Sequence, residues 1–277
     1  MSLLLAMLAQ VGPFPNHAAA PPLRPPATRP RQPAASAAPP PRSRLQSCLD
    51  AVSSTPVDAI DNARSWLAAA QGPARAEASL CLGSAHARLE HWAEAEQAFL
   101  AGRDATGEYD RALRAKLGGM AGNAALAQGS FETALTELDL ARGEAAVTGE
   151  LRLTGEIAID RARALVALKR EDEAVAALIE ARTSTADNPL AWLLSATLSR
   201  RQGKLAAAQA QIATAAELSP GDPEIGLEAG VIAALSGRDD AARKSWQSVV
   251  DMAPASELAA TARNYLTQLG TGPNSKP

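Results

Sequence analysis

The stretch that decides the fold is Pro189–Pro254. It reads PLAWLLSATLSRRQGKLAAAQAQIATAAELSP over 189–220 and GDPEIGLEAGVIAALSGRDDAARKSWQSVVDMAP over 221–254. The two halves share one grammar. Ala208 and Ala242 stand 34 residues apart, and each is preceded at −5 by glycine (Gly203, Gly237) and at −12 by a small residue (Ala196, Gly230). A large apolar residue follows each at +4 (Ile212, Trp246), another apolar residue at +7 (Ala215, Val249), and a proline at +12 (Pro220, Pro254). Two antiparallel helices approach to about 8–10 Å only where small residues face each other at the crossing. Glycine at −5 permits a left-handed turn between helices, and proline at +12 stops the second helix.

The same offsets recur upstream. Ala95, Ala134 and Ala174 continue the series, so the five anchors are spaced 39, 40, 34 and 34. Their +4 partners are Phe99, Leu138 and Leu178; their −12 residues are Gly83, Gly122 and Ala162. At −5, Gly129 fits the pattern, whereas Glu90 and Lys169 replace glycine. The 39 and 40 spacings predict longer connections at about residues 104–112 and 146–152. Residues 44–70 read as a further, degenerate unit anchored on Ala59, and residues 255–269 as a terminal helix with Leu258, Ala262, Tyr265 and Leu266 on one face.

Composition agrees. The 277 residues include 64 Ala but only 9 Phe, Trp and Tyr together, which favours helix and excludes an all-β fold. The pattern resembles the tetratricopeptide repeat, the helix–turn–helix unit with a 34-residue period. Trp192 stands at the family's tryptophan position, followed by Ala196, Gly203, Ala208, Ala215 and Pro220; Leu82-Gly83 matches the family's Leu-Gly pair. The resemblance covers roughly residues 44–270 and implies a right-handed, all-α solenoid of about six helix pairs, its last repeat capped by the terminal helix.

The head is a different polymer. Eleven of the 19 prolines fall within residues 13–41, and residues 1–44 carry five arginines and no acid, leaving −8 on the remainder. Residues 3–11, LLLAMLAQV, are too few to cross a bilayer, which needs about 20, but match the apolar core of an export signal. Residues 1–20 are therefore read as a signal peptide, although no basic residue precedes the apolar run and Pro21 follows the small-residue site. Residues 21–43 read as a disordered, Pro-rich linker and 271–277 as a disordered tail. The expected location is the periplasm or cell envelope of a bacterium, with a cytoplasmic protein carrying a disordered head as the alternative.

Nothing in the chain spells catalysis. It has no glycine-rich phosphate loop, no GxSxG and no HExxH. The three histidines are His17, His86 and His91, the last two about 140° apart around a helix. Cys81, His86 and His91 step by five, which is not metal-ligand spacing. No enzyme, cofactor, metal site or nucleic-acid partner is expected, the body being acidic and poor in aromatics. The function expected is a protein-binding scaffold or adaptor; a structural spacer of an envelope assembly, or a regulatory domain associated with an enzyme, is the alternative.

The family resemblance also implies a concave groove lined by the first helix of each unit. It places Glu77, Leu80, Ser84 and Arg88, then Lys116, Gly119 and Asn123, then Glu156 and Ile159, then Leu193, Thr197, Arg200 and Arg201 along that groove. Asn123 matches one position of the Lys/Asn clamp that some family members use for C-terminal carboxylates; the partnering lysine is replaced by Gly119. The same resemblance puts Cys48 and Cys81 in neighbouring first helices. In an exported protein they would pair as a disulfide; otherwise they are two small buried thiols.

Overall fold

The computed structural model describes residues 42–108 and 110–270. The expected signal segment, the linker up to residue 41 and the tail lie outside the described residues. Among those described, the chain forms thirteen helices and no strand. They are α1 (Arg44–Ser54), α2 (Pro56–Ala69), α3 (Pro73–Arg88), α4 (Trp92–Ala105), α5 (Arg111–Ala127), α6 (Phe131–Ala146) and α7 (Leu151–Ala167). Then follow α8 (Glu171–Ser184), α9 (Pro189–Arg201), α10 (Leu205–Leu218), α11 (Pro223–Leu235), α12 (Asp239–Met252) and α13 (Glu257–Gly270). Each helix packs on the next, giving six helical hairpins and a closing helix. The fold is an all-α solenoid. No helix among the described residues is long and apolar enough to cross a membrane.

The anchors explain the packing. Ala59, Ala95, Ala134, Ala174, Ala208 and Ala242 are all fully buried. Opposite them, each bulky +4 side chain lies on the small −12 residue of the preceding helix. A Cβ placed on Gly122 would fall 2.5 Å from Leu138 Cγ, and Gly230 is covered by the Trp246 indole. Ala162 shares a core with Leu178, and Ala196 with Ile212. Both aromatic +4 residues, Phe99 and Trp246, sit over glycine. The Trp246 indole N–H donates to the Leu227 carbonyl at 3.1 Å, so this buried ring keeps its polar atom satisfied.

The turn inside the hairpins from α3–α4 to α11–α12 uses one backbone shape; the first hairpin, α1–α2, turns at Thr55 alone, with φ of −138°. Gly129, Gly203 and Gly237 have φ of 78°, 71° and 71°. Glu90 and Lys169 adopt the same left-handed conformation, with φ of 60° and 61°. The turn is thus imposed by the packing of the two helices, and glycine is only its least strained occupant.

The long spacings have a different origin from the one the sequence suggested. The connection between α4 and α5 is Thr106–Asp110, and that between α6 and α7 is Val147–Glu150; the corresponding connections before α9 and α11 are residues 185–188 and 219–222. The loops are therefore almost equal. The additional residues lengthen helices: α5 and α7 have 17 residues each, against 13 in α9 and in α11. That difference is close to one helical turn. Adding a whole turn preserves which face points to the core, so the insertion leaves the repeat in phase.

Caps and ends follow local chemistry. Ser43, Asp110, Asn188 and Asp222 accept backbone N–H groups at the starts of α1, α5, α9 and α11. Pro56, Pro73, Pro189 and Pro223 each occupy the first helical position, where their missing N–H costs nothing. At the far end, α13 buries Ala262 and lays Leu258, Tyr265 and Leu266 against α12; the Tyr265 and Trp246 rings are 5.1 Å apart. This covers the apolar side of the last repeat.

Candidate functional site

The odd-numbered helices also touch one another across repeats, α1 with α3, α5 with α7 and α9 with α11. They form the inner layer, and its surface is the groove. Two cavities open along it. The first, of about 330 Å³, lies among α3, α4, α5 and α7; its apolar walls include Trp92, Met120, Leu153 and Ile157. Its polar residues are Lys116, Asn123, Glu156 and Asp160. The second, of about 250 Å³, lies between α7 and α9 and is almost wholly apolar, with Val166, Leu194 and Leu198 inside and Arg163, Thr197 and Arg201 at its edge.

The period of the chain generates both cavities. Residues 14 before the anchors are Met120, Asp160 and Leu194, and residues 11 before are Asn123, Arg163 and Thr197; all six line a cavity. Of the residues 15 before, one step around the helix, Gly119 still borders the first cavity, but the large ones do not. Leu80, Ile159 and Leu193, expected in the groove, are instead buried in the core.

The polar bridge between the cavities is specific. Asn123 Nδ2 donates to Asp160 Oδ2 at 3.0 Å across the α5–α7 boundary, and Arg163 Nη1 donates to Asp160 Oδ1 at 2.9 Å. The Asp160 side chain is only 17% exposed. Burial raises its pKa above the ordinary aspartate value; the hydrogen bond from Asn123 and the Arg163 charge offset that only in part. Sequence reasoning reached Asn123 and missed Asp160, Arg163 and Trp92. The signal for Asp160 was present: it stands four residues after Glu156 on α7, one turn along the same face.

The remaining expected residues divide. Lys116 and Asn123 belong to the first cavity, Thr197 and Arg201 to the second. Arg201 is also 3.6 Å from Glu171. Arg200 is held by Glu228 of α11, through Nε at 2.6 Å and Nη2 at 3.3 Å, so its guanidinium ties two repeats together. Glu77, Ser84 and Arg88 lie on α3 and line neither cavity. Cys48 on α1 and Cys81 on α3 have Cα atoms 6.1 Å apart, with their sulfurs in bonding contact. Both are buried, at 8% and 0% exposure.

The histidines depart from the helical-wheel expectation. Because α3 ends at Arg88 and the chain turns, the His86 and His91 rings come within 5.7 Å. His86 is buried and its Nδ1 has no hydrogen-bond partner among the described residues. Burial lowers its pKa below the ordinary histidine value, assisted by the Arg64 charge and by His91 and opposed by Glu94. No group of three or more His, Cys, Asp or Glu side chains among the described residues is arranged to hold a metal ion.

Similar architectures exist among solved structures. PilW, a widely conserved type IV pilus biogenesis factor, superposes with a TM-score of 0.66 at 15% identity, covering 79% of this chain and 96% of its own. PilF of Pseudomonas aeruginosa gives 0.64 at 14% identity, over 80% and 95% of the two chains. A thermophilic TPR protein of Thermus thermophilus gives 0.54 at 18% identity, over 70% and 98%. No protein-family model and no curated protein matches the sequence. With six hairpins in phase, a closing helix and these structural likenesses, the chain has the tetratricopeptide-repeat fold.

Proposed function

We propose that the chain is a non-catalytic protein-binding scaffold whose inner groove receives an extended segment or a helix of another protein. The observation that carries this reading is the pair of adjacent cavities on the inner face, apolar within and polar at their edges. Rigid helices hold both, so little ordering entropy is lost in the scaffold on binding. We further read the protein as exported. The chain has two cysteines, and both sit where a disulfide requires them; such bonds persist in oxidising compartments. Its fold neighbour PilW, a type IV pilus biogenesis factor, makes an envelope assembly a fitting setting.

The test is site-specific photo-crosslinking in cells. A photoreactive residue replaces Lys116 or Thr197 in the groove, or Thr136 on the exposed face of α6. The reading expects one protein to be captured from both groove sites and not from Thr136. Capture of nothing from the groove, or equal capture from all three sites, would count against a groove-binding scaffold and favour a spacer.

A further inference from the structure

We infer that the cavity between α5 and α7 recognises a basic side chain of the partner, a lysine or arginine carried between apolar residues; this rests on the scaffold reading above. The walls are built for an aliphatic stem, with Trp92, Met120, Leu153 and Ile157 around about 330 Å³. The polar end is built for a cation. Asp160 and Glu156 both reach the cavity. Each Asp160 oxygen accepts one protein hydrogen bond and has capacity for a second. Glu156 is exposed and forms no ion pair with a described residue.

The charge balance of the cavity is incomplete. Asn123 and Arg163 do not fully offset the burial of the Asp160 carboxylate, whose pKa stays raised. A ligand cation would supply what they lack. Lys116, which is exposed, is the one basic residue lining this cavity; Arg163 pairs with one oxygen of Asp160 from the adjoining cavity, and Glu156 is the acid left without an ion-pair partner among the described residues. The arrangement also disfavours the opposite ligand. The Asn123 amide, which would donate to a carboxylate, is turned onto Asp160, so a terminal carboxylate placed there meets a negative charge. The second cavity carries Arg163 and Arg201 and no acid, so the preference is local to the first.

Fluorescence polarisation on the full-length protein tests this. The probes are end-blocked, fluorescein-labelled nonapeptides, Gly-Ser-Gly-Leu-Arg-Leu-Gly-Ser-Gly and its counterparts with Gln or Glu at the centre. The Arg probe is expected to bind about tenfold more tightly than the Gln probe, with the Glu probe weakest. Asp160→Asn should weaken the Arg probe about tenfold, and Glu156→Gln about threefold. Lys116→Gln should strengthen it about threefold, while Lys244→Gln on the exposed face of α12, outside both cavities, leaves it unchanged. Glu156 and Lys116 are exposed, so their variants keep the test valid even where Asp160→Asn fails to fold.

Equal binding of the Arg and Gln probes, tightest binding of the Glu probe, or binding of none overturns the proposal. Where none binds but Lys116 crosslinks a partner, the basic preference falls and the scaffold stands; where neither occurs, both fall. The arginine-rich head of the chain is a rival occupant. Should Arg24→Gln, Arg29→Gln and Arg31→Gln together raise the affinity for the Arg probe, the head occupies the site and the assignment to a partner is overturned.

Discussion

Gly83 lies under the ring of Phe99, so closely that a Cβ added to Gly83 would fall 2.5 Å from two ring carbons. Both residues are buried, at the crossing of α3 and α4. Gly83→Ala therefore sets two effects against each other. Alanine in a helix interior is favoured over glycine by about 1 kcal/mol. Overpacking a core costs about 1–3 kcal/mol. Ala95 and Leu80 pack in the same core as the ring, which lines the first cavity on its remaining side. Net destabilisation of up to about 2 kcal/mol is expected in urea unfolding. Adding Phe99→Leu should recover part of it, because Ala162 and Leu178 already pair that way two repeats on. A Gly83→Ala chain as stable as the parent would show that this contact does not limit the helix approach.

The left-handed turns give a prediction of opposite sign. Glu90 and Lys169 bear side chains where Gly129, Gly203 and Gly237 bear none, at the same backbone geometry. A side chain there costs about 1–2 kcal/mol, and glycine returns part of that through greater freedom in the unfolded chain. Glu90→Gly and Lys169→Gly should each stabilise the chain by about 0.5–1 kcal/mol. Gly203→Ala should destabilise it by a similar amount. Thermal melts of the three variants settle the order; a lower midpoint for Lys169→Gly would mean that its side chain makes a contribution larger than the strain.

These turns also mark how far the sequence could be read. The repeat was legible because packing imposes its constraint once per turn of a period: a fully buried alanine, a bulky partner four residues on, a small residue twelve before. The turn at Glu90 and Lys169 was hidden, because a strained residue leaves no compositional mark. The extra turns of α5 and α7 were misplaced into loops, since spacing reports length and not conformation. On the inner face, Lys116, Asn123, Thr197 and Arg201 followed from the family resemblance, whereas Leu80, Ile159 and Leu193 stand one step around the helix from residues that line the cavities. Asp160 escaped notice because one aspartate on a helix looks like any solvated charge until Asn123 of α5, in the preceding repeat, is set beside it.

His86 makes the N-terminal repeats sensitive to acid. It is buried with Nδ1 unpartnered, and the charged or titratable groups acting on it are Arg64 from α2, Glu94 from α4 and His91 at the turn. Its folded pKa lies below the unfolded value, because burial and Arg64 oppose the imidazolium. Between those two pKa values the unfolded chain binds more protons, so stability falls as pH drops through that window and is fully present above it. The slope attributable to one such group is at most about 1.4 kcal/mol per pH unit. The urea midpoint at pH 5.5 should therefore lie below that at pH 7.5, and His86→Gln should reduce the difference. An unchanged difference in the variant would assign the acid sensitivity to other groups.

The Cys48–Cys81 pair has the largest expected effect on stability. Helix α1 has 11 residues, of which only Cys48 and Val52 are buried, so little apolar surface holds it to α3. Arg44 adds a stacking contact over the Trp66 ring at 4.7 Å, and Arg42 pairs with Asp50 within its own segment. The sequence separation of the cysteines is 33. In the chain-entropy account, closing a loop of that size stabilises the folded state by about 3–4 kcal/mol. Cys48→Ser with Cys81→Ser should therefore loosen α1 first, since nearest-neighbour stacking lets a terminal repeat open without the rest. Hydrogen exchange should show lost protection over residues 44–69 and little change beyond α5. The same pattern should appear in the parent chain treated with a reductant and not grow further in the variant. Mass spectrometry after alkylation of the native protein provides the decisive control: two modified thiols would mean that the cysteines pack without pairing, and that α1 is held by packing, including Val52, Leu45 and the Arg44–Trp66 stack, with no covalent tie.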